Sequence, residues 1–187
     1  PGEMVRLERM IRPDTVIFTS IGEAHQENFT SLEEKSAEKL VLAKGARTII
    51  YHGGSSLLER MIRTLYGGRQ LQDAAEYPLP EQLPAGVLES GAGRVDAQLV
   101  GAFCRVMGFP DPDFGRIRPV AMRLELKEGI NGSLLIDDAY NSDINSLSIA
   151  LDYLHNMAAG RPMTLILSDI EQSGVEDGVL YGEVARL

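Results

Sequence analysis

From Met4 to Tyr66 the sequence alternates between helical and extended hydrophobic patterning, and that alternation restricts the fold more than any other feature of the chain. Met4, Leu7, Met10 and Ile11 are spaced for one face of a short helix, which Pro13 closes. Residues 15–19, Thr-Val-Ile-Phe-Thr, read as a buried strand. Ser31 with Glu34 three residues later has the spacing of a capping box and predicts a helix reaching about Lys44. A second strand is expected over 47–52 and another amphipathic helix over 56–66. Helix, strand, helix, strand, helix is the order of a parallel sheet with crossover helices, so the class is α/β.

Residues 67–93 are rich in Gly and Pro with weak periodicity and read as irregular surface chain. A helix is expected over 95–107. The prolines and glycines of residues 108–115 forbid a continuous helix or a central strand and mark a linker, which puts a domain boundary near Arg118. The expected domains are therefore 1–118 and 119–187. In the second, segments 120–127 and 133–137 flank Asn131-Gly132, a hairpin turn pair. Helix is expected over 144–158, strand over 163–167 and helix again from Val179.

Net charge excludes some functions. With 18 Lys+Arg against 27 Asp+Glu the chain carries −9, a field that repels phosphate backbones, so nucleic acid is not an expected partner. The single cysteine, Cys104, cannot form an intramolecular disulfide, and its apolar helix makes it most simply a core thiol. No apolar run reaches the roughly 18 residues of a membrane helix, so membrane insertion is not expected. These features point to a reducing, cytoplasmic compartment. The start, Pro1-Gly2-Glu3-Met4, reads as the interior of a longer chain.

Three places could carry chemistry. The stretch Ser20-Ile21-Gly22-Glu23-Ala24-His25-Gln26-Glu27-Asn28-Phe29 follows the first strand, and ligands in parallel α/β sheets sit beyond the carboxyl ends of strands. It is a candidate metal or phosphate site; the competing reading is a solvated loop histidine. Lys39 falls on the helical stripe of Leu32, Ser36, Leu40 and Ala43, while Glu33, Glu34 and Glu38 point away. A lysine there either serves function or snorkels, as Lys35 on the same flank is expected to do. Finally, Asp137-Asp138-Ala139-Tyr140-Asn141-Ser142 follows a strand and could hold a nucleotide or a divalent ion, or cap the next helix. The loop from Ser168 to Gly174 repeats that pattern with less specificity.

Taken in order, the PGEM start, the SIGEAHQENF loop, Lys39 and the DDAYNS loop resemble the Mur ligase family of bacterial peptidoglycan synthesis. Within it they are most similar to the branch that joins D-alanyl-D-alanine to a UDP-linked muramoyl tripeptide. Residues 165–181 resemble the variant fused to an alanine racemase domain, which would lie beyond Leu187.

The resemblance implies an ATP-dependent amide ligase in which a carboxylate is activated as an acyl phosphate and then attacked by the amine of D-alanyl-D-alanine. It implies a later part of the central ATPase domain in 1–118 and the start of a Rossmann-like C-terminal domain in 119–187. By motif position His25 is similar to the family's magnesium ligand, and Lys39 to its carbamylated lysine, giving His25 and Lys39 catalytic and Mg2+-binding roles. Arg123, Asp138 and Asn141 are similar to nucleotide contacts. Ser20 stands where the family usually has Asn, and Asp96 where an adenine-contacting Asn is expected. The phosphate loop G-x-x-x-x-G-K-[ST] is absent from the sequence and is expected to precede Pro1, so this stretch by itself is not expected to be an active ligase. The alternative is a catalytically inert α/β structural or interaction module that has kept the family core.

Overall fold

The computed structural model describes residues 2–22, 28–79, 83, 91–116, 123–140, 142–171 and 173–187. The chain divides into two compact units. Among the described residues the first takes in 2–22, 28–79 and 94–113, and the second takes in 83, 91–93, 114–116 and everything from 123 onward.

The first unit is built on a parallel sheet of three strands, β1 (Thr15–Phe18), β2 (Thr48–Tyr51) and β3 (Gln70–Asp73), in the order β1-β2-β3. Thr15 pairs with Thr48, which pairs with Gln70, and the register runs unbroken to Phe18, Tyr51 and Asp73. The central strand is buried along its whole length. β1 instead alternates, with Val16 and Phe18 buried and Ile17 exposed, where the sequence predicted a strand buried throughout. Helices α1 (Glu3–Ile11), α2 (Leu32–Leu40) and α3 (Ser56–Tyr66) alternate with the strands as expected. Leu40, Ala43, Ile49, Leu58 and Ile62 are fully or nearly fully buried at the core, with Val16, Phe18 and Tyr51.

Two features of this unit differ from the sequence reading. β3 lies inside the stretch expected to be irregular. Its sequence, Gln-Leu-Gln-Asp, has no β-branched residue, and what fixes it is pairing. Arg69, just before it, donates to the carbonyls of Ala46 and Lys44, and the Thr48 hydroxyl donates to Gln70 Oε1 at 3.2 Å. Glu38 does not simply point away from the core. Its Oε1 accepts the amides of Gly2 at 2.6 Å and Met4 at 3.3 Å, supplying the N-terminal cap of α1 that Gly2 has no side chain to provide.

The long helix α4 (Gly91–Met107) buries Ala97, Leu99, Gly101 and Ala102, while Cys104 is half-buried.

In the second unit β4 (Glu125–Glu128) and β5 (Leu134–Asp137) form an antiparallel hairpin, pairing Glu125 with Asp137 and Glu128 with Leu134. The turn uses Asn131 at φ 57° and Gly132 at φ 74°, left-handed positions that suit Asn-Gly. Helices α5 (Ile144–Ala158) and α6 (Asp177–Val184) follow, and Leu147, Ile170 and Leu180 form the core, with Leu151, Leu167 and Val184 around them. The strand expected over 163–167 does not form. That segment finds no sheet partner among the described residues, and Ile166 is 90% exposed. Hydrophobic character alone does not make a strand when its backbone groups are unpaired.

Candidate functional site

Three strand ends and the loops that follow them hold the residues of interest. After β1 the chain runs through Ser20 and Gly22 toward α2, which Ser31 caps by accepting the amide of Glu34 at 3.1 Å. The other half of the predicted box is displaced by one residue. Glu34 Oε2 accepts both the amide of Thr30 at 2.8 Å and its hydroxyl at 2.6 Å, and these bonds hold the Glu34 carboxyl below its ordinary pKa.

One helical turn further, Lys35 is 5% exposed, and its ammonium donates to the Gly22 carbonyl at 2.5 Å. Lys35 therefore does not snorkel: the chain beyond β1 covers it and gives its charge a carbonyl partner in place of water. Lys39, next along the same flank, is half-buried. His25 lies outside the described residues.

At the ends of β2 and β3 is a polar network that sequence reasoning missed. His52 Nδ1 accepts the amide of Gly54 at 3.1 Å, so Nε2 carries the proton and donates to Gln98 Oε1 at 3.0 Å. Gln98 Nε2 in turn donates to the carbonyls of Ala75 and Tyr77, and Asp73 Oδ1 accepts the amides of Gly53 and Ala75. The bonds of this group tie α4 to the sheet edge. The Gly53-Gly54 pair after a strand was the available hint.

In the second unit the loop after β5 gathers around Arg123. Asp138 Oδ1 accepts the amide of Leu124 at 3.1 Å, and the Arg123 guanidinium carbon lies 4.4 Å from the Tyr140 ring centroid. Burial raises the Asp138 pKa, and the Leu124 amide and the Arg123 charge oppose that rise. Asp137 behaves in the opposite way. Its bond to Lys127 Nζ at 2.7 Å lowers its pKa, and Lys127 also meets Glu125 at 3.1 Å. The structure thus brings Arg123 and Asp138 together. Asn141 lies outside the described residues.

Capping accounts for part of the loop as well. Asp137 Oδ1 accepts the amide of Ala139, and Asp143 and Ser146 form a reciprocal box that starts α5. In the later loop, Asp169 accepts the Tyr181 hydroxyl, a structural bond. Among the described residues no three His, Cys, Asp or Glu converge to hold a metal, and no helix is long and apolar enough to cross a membrane.

Comparisons with known proteins follow the same lines. No family model matches the chain. It is 26% identical over 196 residues to the UDP-N-acetylmuramoyl-tripeptide–D-alanyl-D-alanine ligase of Bacillus subtilis (strain 168), an alignment covering 92% of this chain and 43% of that protein. Its structure is similar to the crystal structure of MurF ligase from Thermotoga maritima in complex with ADP, with a TM-score of 0.65 and 16% identity, over 83% of this chain and 42% of that one. The chain thus spans less than half the length of either.

At that identity the structural likeness establishes the fold. That fold is α/β with a parallel sheet, similar to the fold of the MurF ligase structure. Both relatives are MurF ligases, and the chain is similar to one in sequence and to the other in fold.

Proposed function

We propose that this chain is part of an ATP-dependent amide ligase that adds D-alanyl-D-alanine to a UDP-N-acetylmuramoyl-tripeptide in peptidoglycan synthesis. The observation that carries the reading is collinearity: 92% of the chain aligns with a ligase of that activity, and the motifs around His25, Lys39, Arg123 and Asp138 occur in the family's order. On this reading residues 1–118 are the later part of the central ATPase domain and 119–187 the start of the C-terminal domain. An ATP-dependent reaction on a soluble nucleotide-linked precursor belongs in the cytoplasm. A fused alanine racemase domain rests on the resemblance of residues 165–181 alone.

The donor chemistry of the second unit suits a nucleotide. Arg123 offers an exposed, planar, permanently charged guanidinium, which matches phosphate oxygens in a bidentate geometry. Asp138 fixes the backbone beside it, and Asn141 is read as a further contact. Magnesium is a different matter, because Lys39 as an ammonium would repel a divalent cation. It fits only as a carbamate, whose oxygens would join His25 at the ion.

When bound, ATP and its metal supply the phosphoryl group that activates the acceptor carboxylate and neutralise charge on it during transfer. The residues of this chain hold and orient. Lys35 braces the chain after β1, and Arg123 is aimed by its neighbours.

The test uses the longest natural chain that contains this sequence. ADP release should require both UDP-N-acetylmuramoyl-tripeptide and D-alanyl-D-alanine, with a new amide detected by mass spectrometry. ADP release with neither substrate, or none with both, overturns the reading and leaves the inert module. The 187-residue stretch alone, lacking a phosphate loop, should give no saturable heat on titration with micromolar Mg-ATP.

A further inference from the structure

We propose that Tyr140 is a positioning residue for Arg123, holding its guanidinium in one orientation before a nucleotide arrives; this rests on the nucleotide-side reading of Arg123. Tyr140 is 63% exposed, so core packing does not explain an aromatic ring at this position. Its face lies 4.4 Å from the Arg123 guanidinium carbon, within the distance at which a cation is attracted to a ring face.

The base of the arginine is held separately. Leu124 adopts φ 47°, a left-handed conformation unfavourable for a leucine, and the Asp138 carboxylate accepts the amide of that same residue. Two residues of one loop, Asp138 and Tyr140, therefore secure the arginine at both ends. Asp138 fixes the backbone next to it, and Tyr140 fixes the tip. A free surface arginine samples many rotamers, and a ligand that must freeze them binds more weakly. The ring does part of that ordering in advance. Phosphate recognition by a flat guanidinium depends on the plane being presented correctly, and a ring face against the guanidinium restricts its orientation where a bare charge does not.

The experiment uses the longest natural chain containing this sequence and compares wild type, Tyr140→Ala, Tyr140→Phe, Arg123→Ala and the double variant Arg123→Ala/Tyr140→Ala. Ligation is measured with ATP varied, separating KM from kcat. Nitrogen-15 relaxation of the Arg123 Nε–H is measured in nucleotide-free protein. Tyr140→Ala should raise KM for ATP by about two- to fivefold, the range of an exposed cation–π contact, with little change in kcat. It should also loosen the Arg123 Nε–H. Tyr140→Phe keeps the ring face and should restore both, and Tyr140→Ala should add nothing once Arg123 is alanine.

If Arg123→Ala raises KM while Tyr140→Ala changes neither KM nor the relaxation, the positioning role is wrong and the nucleotide reading stands. If Arg123→Ala leaves KM untouched, the nucleotide reading of Arg123 fails and the proposal fails with it. Because Tyr140 is exposed, its replacement leaves the unit's core intact.

Discussion

The ammonium of Lys35 lies 2.5 Å from the carbonyl oxygen of Gly22 while its side chain is 5% exposed, so a buried charge on α2 is joined to the chain just past β1. A cation placed out of water is costly unless it is bonded, and here a backbone carbonyl that would otherwise lose its own water is the partner. Lys35→Met keeps the length and apolar bulk of the stem but removes the donor. It should destabilise the protein by about 1.5–3 kcal/mol, the range for a hydrogen bond to a charged group. Urea unfolding measures this. A Lys35→Met variant as stable as wild type would mean that the ammonium repays no more than its desolvation cost.

Gly101 yields a second prediction from packing alone. It lies buried in α4, and a Cβ at this position would run into the Tyr77 ring, far inside contact distance. Tyr77 cannot readily retreat. Its hydroxyl donates to Asp111 Oδ1 at 2.9 Å, and the Arg105 guanidinium carbon lies 4.8 Å from its ring centroid. Alanine ordinarily favours a helix over glycine, by about 1 kcal/mol. Here overpacking should outweigh that gain, and Gly101→Ala should lower stability by about 1–3 kcal/mol. A higher melting temperature would show that the ring moves aside at low cost.

These contacts also show where sequence reasoning stops. The alternation from Met4 to Tyr66 was legible because each element carries its own period. Polar Gln70–Asp73 was not, because it becomes a strand only through its neighbour β2. The segment 163–167 is the mirror case, apolar enough for a strand but without one to pair with among the described residues. Lys35 and Lys39 lie one turn apart, and a helical wheel puts both on the same flank. It cannot tell which one the chain from β1 will cover. For the DDAYNS loop, spacing left ligand binding and helix capping open. The structure shows turn and capping bonds at Asp137 and Asp143, and the Arg123 cluster at Asp138 and Tyr140.

The third prediction concerns pH. Burial raises the folded-state pKa of Asp138 above its unfolded value, so between the two values the folded state binds more protons than the unfolded. Its contribution to stability must then fall as pH rises through that window, and the cost persists at neutral pH. Asp137 has the opposite sign. Lys127 lowers its pKa, so its contribution is present above the unfolded value and is lost as pH falls through the folded one. Asp138→Asn keeps an oxygen to accept the Leu124 amide and removes the charge. The variant should gain stability relative to wild type at about pH 7 and lose that advantage near about pH 3, where Asp138 is protonated anyway. Urea midpoints across that range provide the measurement. An advantage that is the same at both ends, or larger at the acidic one, would exclude a buried carboxylate cost at this position.

The last prediction tests the role proposed for Lys39. It stands half-buried on α2, one turn beyond Lys35, on the flank that the chain after β1 approaches. A carbamate would replace a group that repels a cation with oxygens that attract one, the donor chemistry magnesium prefers. In the longest natural chain containing this sequence, Lys39→Ala should lower ligation by about 10–100-fold, the range typical when a group supporting a bound metal is lost. A small carboxylate such as acetate could enter the space left by the side chain and supply the missing oxygens. Added acetate should therefore restore part of the activity in the variant and none in wild type. If acetate fails to help, Lys39 acts without a carbamate. If Lys39→Ala ligates as fast as wild type, the residue is a half-buried lysine whose stem covers apolar surface and whose ammonium reaches water.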